Sequence, residues 1–369
     1  MFRKPDNAVE LFLLLSVVAV SAIARGASLD LAATTQAATA PAESPTDPGP
    51  VRPIGIVDFY GLRQLTAEQL RNELTFKVGD SVTFGDHSYS FFEASRQRLM
   101  KVPGVVSAHV DVICCTDSHP VVFVGIEEKN APLLQFRTAP AGSIRLPPEV
   151  LKTGAEFDQL WTKALSSGHM EEDDSEGHML FLDAAARPTE DRMIAIANSD
   201  LKLLRKVLHD SADSEHRALA AELLGYANNM QTVVPDLVYA MRDSSVAVRN
   251  NAMRALEVFT RATKVKPPQV PYTPFIAMLN SPVWFDRNKS SLALMQLTST
   301  RDPMLLKMLR DEALPSLVEM ARWGDRNHAA PAFYILGNLA GLNEDDVSED
   351  FWVRNDRERV INLALGRSQ

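Results

Sequence analysis

Four arginines set the frame of this chain. Arg217, Arg249, Arg287 and Arg326 each open the second member of a pair of short helical patterns, at intervals of about 32, 38 and 39 residues. Apolar residues within the patterns recur at i, i+3 or i+4 and i+7: Val234, Leu237, Val238 and Met241; Val248, Ala252, Ala255, Leu256 and Phe259; Ala332, Ile335, Leu336 and Leu339. Between them stand residues that cap or break helices, Asp243-Ser244, Ser281-Pro282, Asp302-Pro303 and Asp325, while Pro235, Pro274 and Pro315 fall in the first helices of successive pairs. One helix pair cannot bury its own apolar stripe, so such units stack, share a continuous core and leave a long curved surface. The pattern predicts an all-α solenoid over residues 193–342, with residues 343–369 as a terminal cap in which Phe351-Trp352 precedes a last helix.

The repeated steps Arg249-Asn250, Arg287-Asn288 and Arg326-Asn327 have two readings. They form a row that binds a protein partner on the concave surface, or each arginine pairs with the turn aspartate of the neighbouring unit. The unit Asp243-Ser-Ser-Val-Ala-Val-Arg249-Asn-Asn-Ala-Met-Arg-Ala-Leu256 resembles a HEAT repeat, with an Asp in the turn, then Val-Arg, then Ala and Leu on the buried face. The resemblance spans about residues 195–342 and is clearest in this second unit. It implies a scaffold for protein partners.

The amino terminus addresses the compartment. Arg3 and Lys4 precede an apolar run from Leu11 to Ala24 that ends in the small-x-small pattern Ala22-Ile23-Ala24, the form of a secretory signal peptide over residues 1–24. The run is short for a membrane span, which needs about twenty apolar residues; an uncleaved anchor is the alternative and would be the chain's one route to a membrane. Residues 25–51, dominated by Ala, Thr, Pro and Ser, have too little apolar surface to fold and read as a disordered linker. The expected location is the periplasm or cell envelope of a bacterium.

Residues 52–130 form a small α+β unit of order β-α-α-β-β. Ile54–Phe59 is a strand pattern, Thr66 and Gln69 have capping-box spacing, Val78-Gly79-Asp80 marks a turn, and a second helix stops at Val102-Pro103-Gly104. Val105–Cys114 and Val121–Ile126 close the unit as strands. Gly61-Leu62, Thr66 to Leu70, Val78-Gly79-Asp80, Arg98-Leu99, Val102 to Val105 and Val121 to Glu128 resemble a POTRA domain. That likeness implies strand addition by extended segments at the Val105–Ile113 edge, with Val105, Val106, Ser107, Ala108, His109 and Val110 as contacts. POTRA units usually precede a barrel, and nothing after residue 130 has the alternating strands that a barrel requires. The adjacent Cys114 and Cys115, with Cα atoms about 3.8 Å apart, are poorly placed to bridge each other; they read as one core and one edge thiol or as an intermolecular pair.

Residues 131–192 are a connector with one or two helices and an acidic loop. His169-Met-Glu-Glu-Asp-Asp-Ser-Glu-Gly-His178 reads as a solvated loop, or as a metal site if the chain is a HEAT-like enzyme or lyase. Its spacing fits neither a helical His pair nor an EF-hand. The net charge of -9 argues against a nucleic-acid partner, which needs clustered basic surface. No Gly-x-Ser-x-Gly elbow, His-Glu-x-x-His helix, phosphate loop or dinucleotide fingerprint occurs, so the reading is a non-enzymatic adaptor needing no cofactor, with a structural spacer as the other alternative.

Overall fold

Period-two alternation in three strands decides how the two halves of the chain meet. The structure, a computed structural model, describes residues 51–367 apart from 84–88, 117–118, 132–133 and 168–170, so the expected signal peptide and all but the last residue of the linker lie outside the described residues. The first domain contains β1 (Val51–Pro53), β2 (Ile56–Tyr60), α1 (Ala67–Arg71), β3 (Ser81–Thr83), α2 (Tyr89–Leu99), β4 (Val105–Thr116) and β5 (His119–Glu128). The order β-α-α-β-β holds for β2, α1, α2, β4 and β5, to which a β1–β3 antiparallel ribbon is added. The main sheet runs β2-β5-β4, with β2 parallel and β4 antiparallel to β5. Local chemistry fixes its corners: Thr66 and Gln69 form the reciprocal capping box at α1, and Gly79 takes φ +92 in the Val78–Asp80 turn. Buried Glu128 accepts the amides of Arg63, Gln64 and Leu65 and holds the loop into α1. Cys114 and Cys115 fall within β4, their side chains outside the described ones.

A long helix α3 (Pro148–Ser167), a two-residue ribbon β6 (Glu172–Asp173) with β7 (Leu180–Phe181), and α4 (Arg187–Ser199) lead into the array. Its units are α5 (Leu201–Asp210) with α6 (Ser214–Leu224), α7 (Met230–Ala240) with α8 (Val246–Arg261), α9 (Thr273–Met278) with α10 (Trp284–Thr298), and α11 (Pro303–Glu312) and α12 (Leu314–Ala321) with α13 (Arg326–Leu339). Proline at the first turn starts α9 and α12, where the missing N–H would be unpaired anyway. The second helices α6, α8, α10 and α13 pack directly one on the next, more closely than the first helices do, so they form the inner, concave wall. Beyond α13, α14 (Glu344–Ser348), a π-helical turn (Glu349–Arg354) and α15 (Arg357–Ala364) cover its end, with Phe351 tilted on Phe333 at 4.7 Å.

Both faces of the three-stranded sheet are buried. Val57, Phe59, Ala108, Val122, Val124 and Ile126 face α1 and α2 and form a core with Leu70, Phe92 and Leu99. Tyr60, Ile113, Val121 and Phe123 point the other way and join the core of the array. Phe123 stacks on Trp284 at 5.3 Å and lies 4.8 Å from Trp323. Tyr60 Oη donates to the Pro282 carbonyl at 2.9 Å, and the Gly324 amide donates to Asp58 at 2.8 Å. Gly125 is the point of closest approach: a Cβ there would lie 2.0 Å from the Pro282 carbonyl oxygen.

Asp111, on the same face of β4, meets the first turn of α10, and its Oδ2 is buried without a hydrogen bond. Burial pushes its carboxyl up from 3.8 to about 7, Asp286 adds to the rise, and a hydrogen bond from the Trp284 amide opposes it. The folded state therefore keeps a proton that the unfolded chain releases near the ordinary value. Stability on this account is full below pH about 4 and falls as pH rises toward 7, at up to about 1.4 kcal/mol per pH unit. Asp111→Asn is expected to flatten that slope and raise the urea midpoint at pH 7; an unchanged slope between pH 4.5 and 7 would remove Asp111 as its source.

Candidate functional site

Position four of the second helix is the repeating element. Arg217, Arg249 and Arg287 each stand fourth in α6, α8 and α10 and are 1% exposed. Each turns back to cap carbonyls of its own turn: Arg217 on Ser211 and Ala212, Arg249 on Asp243 and Ser244, Arg287 on Ser281. Each also reaches an acid in the next unit. Arg217 holds Asp243 at 2.9 and 2.8 Å, Arg249 holds Asp286 at 2.9 Å through both nitrogens, and Arg287 holds Glu319 at 3.0 Å. The bidentate pairs of Arg217 and Arg249 and the single charge-assisted bond of Arg287 fix the rotation of one unit on the next. Glu319 also accepts the amides of Gly61 and Leu62, so the last pair ties the first domain to the array.

This geometry corrects the row of Arg-Asn steps as a partner-binding surface. Arg249, Asn250, Arg287 and Asn288 are at most 2% exposed and form no row on the outer surface for a partner to bind. Arg326 is out of register: it is the first residue of α13, where Ala329 takes the fourth position, and its guanidinium sits 5.1 Å from the Phe351 ring and 4.9 Å from that of Trp352. Arg326 and Asn327 are partly exposed. The strand residues lie elsewhere. Val105 to Val110 sit on β4, which bonds to β5 alone among the described strands and leaves its outer edge unpaired. Val106 is exposed there and Ala108 is in the core. His109 turns toward the array, and burial pushes its imidazole down to about 4, so it is neutral at pH 7.

The acidic segment is not a solvated loop, for its described carboxylates are ion-paired. Glu172 pairs with Arg254 at 2.5 Å, Asp174 with Arg261 at 2.7 Å and Asp173 with Lys264 at 3.5 Å, which bolts the β6–β7 hairpin to α8 and the turn that follows it. His178 is buried, stacked on Tyr226, and His169 lies outside the described residues. Among the described residues no three His, Cys, Asp or Glu side chains converge as a metal site.

Two features escaped sequence reading. The segment 134–147 crosses the turns of the array as an extended strap, running from the second unit back to the first. Arg137 donates its amide to the Arg242 carbonyl at 2.7 Å and stacks 3.2 Å from the Tyr239 ring centroid. Phe136 lies 3.8 Å under the Arg249 guanidinium, Gly142 exchanges bonds with Asp210 and Ala212, and the Leu146 amide donates to His216 Nδ1 at 2.8 Å. The second is a cavity of about 310 Å³ between α3 and the inner faces of α6 and α8, with Phe157, Trp161, Leu219, Glu222, Asn250 and Arg254 in its walls. Glu222 and Arg254 occupy the same position of adjacent second helices, five residues after the ladder arginine, and charges recurring there on an otherwise apolar inner face were the available signal.

Residues 201–270 match the family of HEAT repeats. Among solved structures the chain is similar to a computationally designed armadillo repeat protein for modular peptide recognition, at 15% identity over 50% of this chain and 93% of that one, with a TM-score of 0.34. It is likewise similar to a designed armadillo repeat protein in complex with the peptide (KR)4, at 15% identity over 49% of this chain and 91% of that one, with a TM-score of 0.34. No curated protein matches the chain.

Proposed function

We propose that this chain is an exported envelope protein of a bacterium that acts as a protein-interaction adaptor. The observation that carries the reading is the repeat array itself: ion-paired units stacked into one continuous wall, a form whose physical product is an extended binding surface rather than a reaction centre. The signal-peptide pattern supports export. The resemblance to POTRA domains and the unpaired β4 edge support a second contact, an extended segment of the partner added beside Val105 to Val110.

A photo-crosslinking residue at Val106, exposed on that edge, and another at the exposed Leu182 beside the ribbon test the reading in living cells. The expected result is a discrete adduct with one partner from at least one position, on a protein whose mature amino terminus follows Ala24. A cytosolic, unprocessed chain removes the export claim; adducts no different from those at a remote position such as Met304 remove the adaptor.

A further inference from the structure

The cavity under α3 has chemistry that partner binding does not explain. We propose that it binds a primary alkylammonium group, with the ammonium against Glu222 and Asn250 and the aliphatic stem along Phe157, Trp161 and Leu219. Glu222 projects from α6 into the cavity, and its carboxylate has no hydrogen bond or ion pair among the described residues. Asn250, 2% exposed, spends its Nδ2 on Asn251 at 3.2 Å, while its Oδ1 is buried with no partner. The buried Asn250 acceptor, left without a donor, is costly unless something supplies one, and the partly buried Glu222 carboxylate beside it adds an acid. The missing group must therefore donate hydrogen bonds, and the acid favours one that carries positive charge.

Arg254 lines the same cavity but does not meet that need. Its guanidinium is already paired with Glu172 at 2.5 Å and lies over the Trp161 ring at 5.2 Å. The other charged groups in the walls, Asp158 on α3 and Glu215 on α6, are acidic, so an anion is disfavoured. The apolar walls take methylenes, as lysine stems do on apolar surfaces, and the volume lies at the small end of ordinary ligand pockets. Exposed Ala155 and Glu215 stand among the lining residues and place the mouth on the outer side of α3 and the start of α6.

Binding also moves a proton. Burial pushes the Glu222 carboxyl up to about 8, Asp158 adds to the rise, and Arg254 opposes it. His216 on α6, Tyr226 just after it and Glu172 on the ribbon are further titratable groups nearby. At pH 7 the free site is mostly protonated, so an arriving ammonium displaces about one proton and affinity rises as pH goes from 6 to 8.

Calorimetry on the full chain with pentylamine, in buffers of different ionisation enthalpy, tests this. The expected result is saturable one-to-one binding with proton release at pH 7, none for pentanol, and at least a tenfold loss in Glu222→Gln. Ala155→Trp, a change at an exposed position, is expected to block binding with Tm unchanged, which covers the case in which Glu222→Gln fails to fold. Pentanol binding as well as pentylamine, no saturable binding, or full affinity in Ala155→Trp would overturn the assignment. Nα-acetyl-lysine methylamide, run beside pentylamine, separates the sources: equal binding points to a lysine side chain from a partner, rejection to a free amine, and either keeps the ammonium site.

Discussion

Asp286→Ala is expected to lower stability by about 3–5 kcal/mol, the range for stranding one member of a buried ion pair. Asp286 is fully buried and accepts from both Arg249 nitrogens at 2.9 Å and from Ser281 Oγ at 2.7 Å. Its removal leaves Arg249 inside the junction of the second and third units, still bonded to the Asp243 and Ser244 carbonyls but without a counter-charge. Replacing both partners by apolar residues, Arg249→Met with Asp286→Leu, is expected to cost less than the single change, because no buried charge is then left over. Urea denaturation reads both. A loss below about 1 kcal/mol in Asp286→Ala would put the pair in the class of solvent-screened surface bridges and end its role as the lock between units.

Gly125→Val is expected to separate the first domain from the array. The new Cβ meets a backbone carbonyl at 2.0 Å and the Tyr60 hydroxyl at 2.5 Å, and neither can swing away as a flexible side chain could. Overpacking in a dense core costs about 1–3 kcal/mol, occasionally more. Here the cheaper relaxation is to lift the sheet, since the core of Val57, Phe59, Val122 and Val124 on its other face does not touch the array. Exposure of Trp284 and Trp323 should then red-shift the fluorescence, and proteolysis should open the strap at 134–147. A variant with native fluorescence and native protease resistance would show that the docked face tolerates a displaced backbone.

Much of the fold was legible because its signals are local. Caps, turn glycines and the spacing of Val248, Ala252, Leu256 and Phe259 are read within one or two turns of chain. What was missed depends on distant partners. The run Val121-Val-Phe-Val-Gly was recognised as a strand, but its unbroken apolarity was also the mark of a sheet covered on both faces, one by helices and one by the array. The acidic stretch looked solvated because Arg254, Arg261 and Lys264, its partners, lie about eighty or more residues away in sequence. Arg326 matched the ladder in spacing while the helix began three residues late for it, a slip that periodicity alone cannot detect. The strap has neither helical nor strand period, so nothing in its sequence announced that it is fastened along its length.

That strap has a consequence for how the molecule comes apart. An open stack of repeats has only neighbour contacts and can fray from an end, its stability close to a sum over units. Here the chain closes a loop: the sheet is fixed to the third and fourth units through Tyr60 to Pro282 and Gly324 to Asp58, the strap returns to the first, and α3 lies on the second. The two closing bonds join residues 222 and 266 positions apart, so loop-closure entropy is spent late and the native topology is reached slowly. Neither end can unwind without the other letting go, and a molecule built as a spring behaves as a braced frame that yields all at once.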